Sequence, residues 1–132
     1  MRRYSLQKGT RERELTAPNV PRGIAALPPA ISDFADTAAL IAQLDLVVTV
    51  DTAVCHLAGA LGRPAWVLVP YGPDWRWLLS RIDSPWYPTS RLFRQPARDD
   101  WASLIPVVAT RLAAVASGCL TPFDPSLDWN RA

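Results

Sequence analysis

The chain has 132 residues, of which 49% are hydrophobic and 20% charged, a balance that argues for one small globular domain and against disorder. A formal charge of +2, with the arginines dispersed and no basic run, is too weak to attract nucleic acid by bulk electrostatics. No apolar run approaches the ~20 residues of a membrane span. The residues after Met1-Arg2-Arg3 are polar rather than a secretory apolar core, so the expected setting is cytoplasmic.

Arg3 to Gln7 reads as a short strand, closed by Lys8-Gly9. Residues 10 to 23 are charged and contain Pro18 and Pro21, the pattern of a loop with room for one helical turn. Gly23 to Leu27 reads as a second short strand before Pro28-Pro29. Asp33 is a good N-cap, and Asp36 three residues later gives a variant capping box. Phe34, Ala38, Ile41 and Leu44 then recur at helical spacing.

Leu46 to Val50 is a continuous apolar and β-branched run without alternation, the pattern of a strand covered on both faces. A helix is expected from about Val54 to Leu61, with Gly62 at its C′ position. Ala65 to Val69 is a second buried-type strand. Residues 70 to 90 form a long aromatic loop, in which Asp74, Arg76, Arg81 and Asp83 are suited to pinning ion pairs. Ser90 to Gln95 reads as a last strand. Asp99 or Asp100 caps a final helix with Leu104, Val108, Leu112 and Val115 on one face, Pro106 inside it and Gly118 at its end. Residues 119–132 form a Pro-rich tail, from which Phe123 and Trp129 can fold back. Strands alternating with helices predict an α/β fold, a three-layer domain with a parallel sheet over residues 1–118. Ligands of such sheets bind at the carboxyl ends of the strands.

The stretch that meets that edge is Val50-Asp51-Thr52-Ala53-Val54-Cys55-His56-Leu57-Ala58-Gly59-Ala60-Leu61-Gly62. A buried strand ends and a helix starts within two or three residues. The free N–H groups near Ala53 to Cys55 carry the positive end of the helix dipole and suit a phosphate. Thr52 can cap the helix and donate its hydroxyl, and His56 can donate to a phosphate or sugar oxygen. Asp51 would repel a phosphate, so it is expected to accept from backbone N–H groups, to hold the loop or to bind a hydroxyl. Lys8, the single lysine beside thirteen arginines, can offset diphosphate charge if its strand joins the same sheet.

Structural alternatives stand beside these readings. Asp51-Thr52 also reads as a plain helix cap, His56 as a structural histidine, Lys8 as a solvated side chain and the Trp-rich loop as packing. Cys55 and Cys119 lack metal or redox spacing. Neighbours on a helix point about 100° apart, so Cys55 and His56 do not form a nucleophile pair. No GxGxxG or P-loop occurs.

The segment Asp51-Thr52-Ala53-Val54-Cys55-His56-Leu57-Ala58-Gly59-Ala60-Leu61-Gly62-Arg63-Pro64 resembles the donor-binding motif of the ADP-heptose:lipopolysaccharide heptosyltransferase family. Ser5 to Gly9, Asp33 to Ala38, Pro73 to Trp77, Ser84 to Pro88 and Arg91 to Gln95 resemble blocks of a related group, bacterial glycosyltransferase domains often fused behind tetratricopeptide repeats.

The resemblance implies the C-terminal, donor-binding half of a GT-B fold, with an active site in the cleft between two Rossmann-like domains. It implies that Lys8, Asp51, Thr52, Ala53, Val54 and His56 line the diphosphate and sugar of a nucleotide-sugar donor. It places the Ser32-Asp33-Phe34 turn near the nucleobase or ribose, with no metal or other cofactor. The motif carries Ala53 where heptosyltransferases usually have glycine, which weakens heptose as the donor. The acceptor domain with its catalytic base, and the first strand with its glycine-rich turn, are not found in these residues. The chain is thus expected to be a C-terminal fragment or truncated reading frame, not catalytic alone. It would need an N-terminal acceptor domain or a repeat array, in the same chain or a separate one. The competing expectation is a degenerate, non-catalytic interaction module.

Overall fold

A computed structural model describes residues 1–10, 12–17, 23–27 and 31–124. The expectations for Pro18, Pro21, Pro28-Pro29 and Trp129 lie outside the described residues. The chain divides into two compact units, Met1–Leu40 and Ile41–Ala132.

In the first unit, β1 (Arg3–Ser5) pairs in parallel with β2 (Ile24–Ala26), Arg3 opposite Ile24 and Ser5 opposite Ala26. The predicted helical turn in the first loop is a 3-10 turn, Glu12–Thr16. The helix α1 (Phe34–Ile41) follows. Its cap matches the capping-box expectation with one change. The Asp36 amide donates to Asp33 Oδ1 at 2.9 Å, while Asp36 Oδ2 reaches past the cap to accept from the Ser32 amide at 2.7 Å.

The second unit is a three-stranded parallel sheet in the order β3 (Val47–Val50), β4 (Ala65–Val69), β5 (Ser90–Arg94). The strand pattern predicts one parallel sheet. Instead, the strands fall into two, and among the described residues β1 pairs with β2 alone. The helices α2 (Ala53–Ala60) and α3 (Trp101–Ala116) cover opposite faces of the larger sheet. Alternation along β4 makes the division. Trp66 and Leu68 pack with Phe93, Leu104 and Val108 on the α3 side. Val67 and Val69 pack with Leu92, Cys55 and Trp77 on the α2 side. This is the three-layer α/β arrangement expected of a strand buried on both faces.

The strand β3 departs from its predicted burial. Val48 and Val50 are 43% and 46% exposed. They lie opposite Trp66 and Leu68, on the face that α3 covers. The buried residues of α3 meet β4 and β5, and among the described residues β3 pairs with β4 alone, so its β-branched run is only half used.

The helices α2 and α3 stop at glycines in the left-handed region, Gly62 at φ +64° and Gly118 at φ +77°. Each ends in a pair of Schellman bonds. The Gly62 amide donates to Gly59 O and Arg63 N to Ala58 O, at 3.0 and 2.9 Å. Gly118 N and Cys119 N repeat the pattern on Val115 and Ala114, at 3.1 and 2.9 Å. Asp100 is the residue that caps α3, accepting from the Ser103 amide at 3.0 Å. Pro106 lies five residues into α3 and does not end it. The start of the tail folds back as expected for Phe123. Trp66 Nε1 donates to Pro122 O at 3.0 Å, and the Arg91 guanidinium lies 5.0 Å over the Phe123 ring.

Candidate functional site

The carboxyl ends of β3, β4 and β5 gather three connections. The first is the Asp51-Thr52 turn into α2. Val50 is the last strand residue and Ala53 the first helical one, so the chain reverses in two residues. Thr52 takes an extended conformation, φ −143° and ψ 172°. The leading N–H groups of α2, on Ala53 and Val54, have no acceptor inside the helix. They project from the end of the strand, where the helix dipole favours an anion.

Thr52 corrects one expectation. It occupies the N-cap position, but its side chain caps nothing. Its hydroxyl lies 3.3 Å from the Thr49 hydroxyl instead.

His56 is held on three sides. Nε2 lies 3.4 Å from Asp51 Oδ1, with both side chains about one-third exposed. Nδ1 lies 3.1 Å from the Tyr87 hydroxyl. The imidazole stacks on Trp77, with centroids 5.5 Å apart and planes 21° from parallel. The Asp51 carboxylate favours a proton on Nε2, which in the neutral ring leaves Nδ1 to accept from the Tyr87 hydroxyl. Asp51 therefore faces His56. His56 reaches a phosphate only by exchanging one of these partners.

Cys55 points the other way and is fully buried. Its Sγ lies 2.9 Å from Thr52 O and 4.0 Å from Asp51 Oδ1. Burial pushes the Cys55 thiol up to about 11, with Asp51 adding to the shift against the Thr52 hydrogen bond. Ligand atoms of Asp51, Cys55 and His56 lie within 4.8 Å of one another. A thiol committed to a backbone carbonyl and resistant to ionisation is a poor metal ligand, because metals bind the thiolate.

The aromatic loop supplies the far wall. Asp74 caps a 3-10 turn, Trp75–Trp77, by accepting from the Arg76 amide at 3.0 Å. It also pairs with Arg76 Nη1 at 2.9 Å, and Arg81 pairs with Asp83 at 2.8 Å. These are the pinning pairs expected. Burial depresses the Arg94 guanidinium below its usual range. That side chain organises the loop by donating to the carbonyls of Arg81 at 2.8 Å, Leu78 at 3.1 Å and Trp77. Trp77 is buried while Trp75 and Trp86 are exposed, so the loop is packing in one tryptophan and surface in the other two.

Asp51, Thr52, Ala53, Val54 and His56 thus share one turn of the second unit. Lys8 and the Ser32-Asp33-Phe34 turn belong to the first unit. There the Lys8 ammonium donates to the Ile31 carbonyl, next in the chain to that turn. Sequence reasoning missed Tyr87, Trp77 and Arg94. A signal for Tyr87 existed in Gly59, whose helical position leaves room for that ring.

Residues 6–74, a little over half of the chain, match glycosyltransferase family 9 (heptosyltransferase). The chain belongs to glycosyltransferase family 9. Protein FlbA of Caulobacter vibrioides (strain ATCC 19089 / CIP 103742 / CB 15) is 36% identical over 86 residues, covering 65% of this chain. The chain spans 14% of the length of that relative. No solved structure matches. The matched region of this glycosyltransferase family 9 chain includes Lys8, the Ser32 turn, the Asp51–His56 turn and Gly59. It stops at Asp74, before Trp75, Tyr87 and Arg94. Among the described residues no helix is long and apolar enough to cross a membrane.

Proposed function

We propose that this chain forms the donor-binding half of a GT-B glycosyltransferase, holding the diphosphate of a nucleotide sugar at the start of α2. The observation that carries this reading is the Val50–Asp51–Thr52–Ala53 connection. A parallel strand ends, and two residues later a helix opens at the sheet's carboxyl edge, its leading Ala53 and Val54 amides without acceptors inside the helix. Membership of glycosyltransferase family 9 supports a phosphate-linked sugar as the anion.

In this reading the amides and the helix dipole take diphosphate charge. His56, braced by Asp51, Trp77 and Tyr87, donates to a phosphate or sugar oxygen once a ligand displaces Asp51. In this reading no metal is required. Ala53 in place of glycine narrows the space beside the phosphate and favours a donor other than ADP-heptose. The catalytic base belongs to an acceptor domain, in the same polypeptide or a partner, and a repeat array is a suitable neighbour. The reaction takes place in the cytoplasm.

Calorimetric titration with ADP, UDP and GDP, beside Thr52→Ala and His56→Ala, tests the reading. Saturable binding of one nucleotide, weakened in both variants, supports it and identifies the base. No binding by a chain that circular dichroism shows to be folded overturns it in favour of a non-catalytic interaction module.

A further inference from the structure

Beyond the α2 turn, the second unit holds a cleft of about 210 Å³ lined by Trp75, Arg76, Trp86 and Tyr87. It shares a wall with the donor turn, because the Tyr87 hydroxyl is the group that meets His56 at 3.1 Å. Trp75 is 65% exposed and Trp86 56%. Large aromatic surfaces left in water beside a binding turn mark a contact surface.

The cleft is built rather than loose. Trp86 Nε1 donates to the Arg76 carbonyl at 3.1 Å. The Trp86 and Tyr87 amides donate to Ser84 Oγ, each at 3.2 Å. The Trp75 and Trp86 rings meet edge to face, with centroids 6.0 Å apart and planes at 84°. The Arg76 guanidinium sits 4.8 Å over Trp75 and is paired with Asp74.

We propose that this cleft binds the apolar face of a pyranose ring, an inference that rests on the glycosyl-transfer reading and names a second part of its substrate. Three features select a sugar. Two indoles at a right angle form a corner, whereas a nucleobase is best held between parallel faces. A pyranose has an apolar C–H face, electropositive at its hydrogens, that meets the negative face of an indole, and a hydroxyl edge that turns away from it. The Arg76–Asp74 pair offers donors and acceptors together to vicinal hydroxyls. Its charge is already neutralised, so it is poorly suited to phosphate. The volume also falls below the ~300–1,000 Å³ of drug-sized sites, which suits one ring rather than a whole nucleotide.

The ring has two sources, a glycan acceptor or the sugar of the donor itself. Saturation-transfer NMR on the whole chain separates them. One arm uses methyl glycosides of glucose, mannose, galactose and N-acetylglucosamine; the other uses UDP-, ADP- and GDP-sugars. The expected result is saturation of pyranose C–H protons. Trp75→Ala and Trp86→Ala should weaken it about tenfold, the scale of one lost stacking contact with its buried area, while nucleoside diphosphate binding is unchanged. Signal from a free glycoside identifies an acceptor, and signal only from a nucleotide-linked sugar identifies the donor.

Absence of pyranose saturation in both arms, or saturation that survives both tryptophan substitutions, overturns the proposal. The nucleotide titration above is read separately. Nucleotide binding without pyranose saturation removes the cleft proposal alone. Pyranose saturation without nucleotide binding removes the donor reading alone.

Discussion

Gly59 and Tyr87 are fitted to each other: a Cβ added to Gly59 would stand 2.4 Å from the Tyr87 ring. A helical glycine is normally a weakness, worth about 1 kcal/mol against alanine. Here it lets an aromatic ring lie on α2 and carry its hydroxyl to His56. Gly59→Ala trades that helix gain against overpacking, which costs about 1–3 kcal/mol. The clash involves the ring itself, close to its own Cβ, so it cannot swing away freely. The expected outcome is a net loss of about 1 kcal/mol by urea denaturation.

Tyr87→Phe keeps the ring and removes only the hydroxyl at His56 Nδ1. Stability should fall by about 1 kcal/mol or less, the net worth of one partly exposed hydrogen bond. Nucleotide affinity should weaken if the braced imidazole contacts the ligand. NMR of the His56 ring reports the change directly, through altered Nδ1 and Nε2 shifts.

Thr52→Ala separates folding from binding. An N-cap side chain usually contributes about 1 kcal/mol, but Thr52 makes no capping bond. The variant should lose less than that in a thermal melt while losing nucleotide affinity.

Arg94→Lys tests the loop. A guanidinium can donate to three carbonyls from one plane, and an ammonium cannot reproduce that spread. The carbonyls of Trp77, Leu78 and Arg81 would lose partners. Expected are a loss of about 2–4 kcal/mol and new protease cleavage between Pro70 and Ser90.

The two thiols should differ. Cys119 is exposed and Cys55 buried. With the Cys55 pKa raised from 9.0 to about 11, a thiolate reagent at pH 8 should label one thiol in the folded chain and two after denaturation. The linkage has a definite sign. Between pH 9 and about 11 the unfolded chain ionises Cys55 and the folded chain does not. Stability should therefore fall as pH rises through that window.

Much of the frame is legible in the residues. Ala65–Val69 reads as a buried strand because neither face needs polar groups. Gly62 and Gly118 mark helix ends because only glycine takes those backbone angles cheaply. The strand Val47–Val50 misleads, since β-branched residues report strand geometry and not how far a covering helix reaches. Local pattern also says that Thr52 sits at a cap, but not that its hydroxyl turns to Thr49.

The partners of the site are the least legible part. Tyr87 is 31 residues beyond His56, and Arg94 is 17 beyond Trp77. Such contacts depend on how the 70–90 loop closes over α2, which no periodicity encodes. Asp51-Thr52 and His56 stand out because strand end, helix start and motif coincide within six residues.

The central claim is that the amides opening α2 receive a diphosphate. Backbone amide NMR during titration with ADP, UDP and GDP tests it most directly. The predicted result is saturable downfield movement of the Ala53 and Val54 amide protons with one of these nucleotides, accompanied by His56. Saturable binding that leaves Ala53 and Val54 unmoved while shifting amides elsewhere would contradict it.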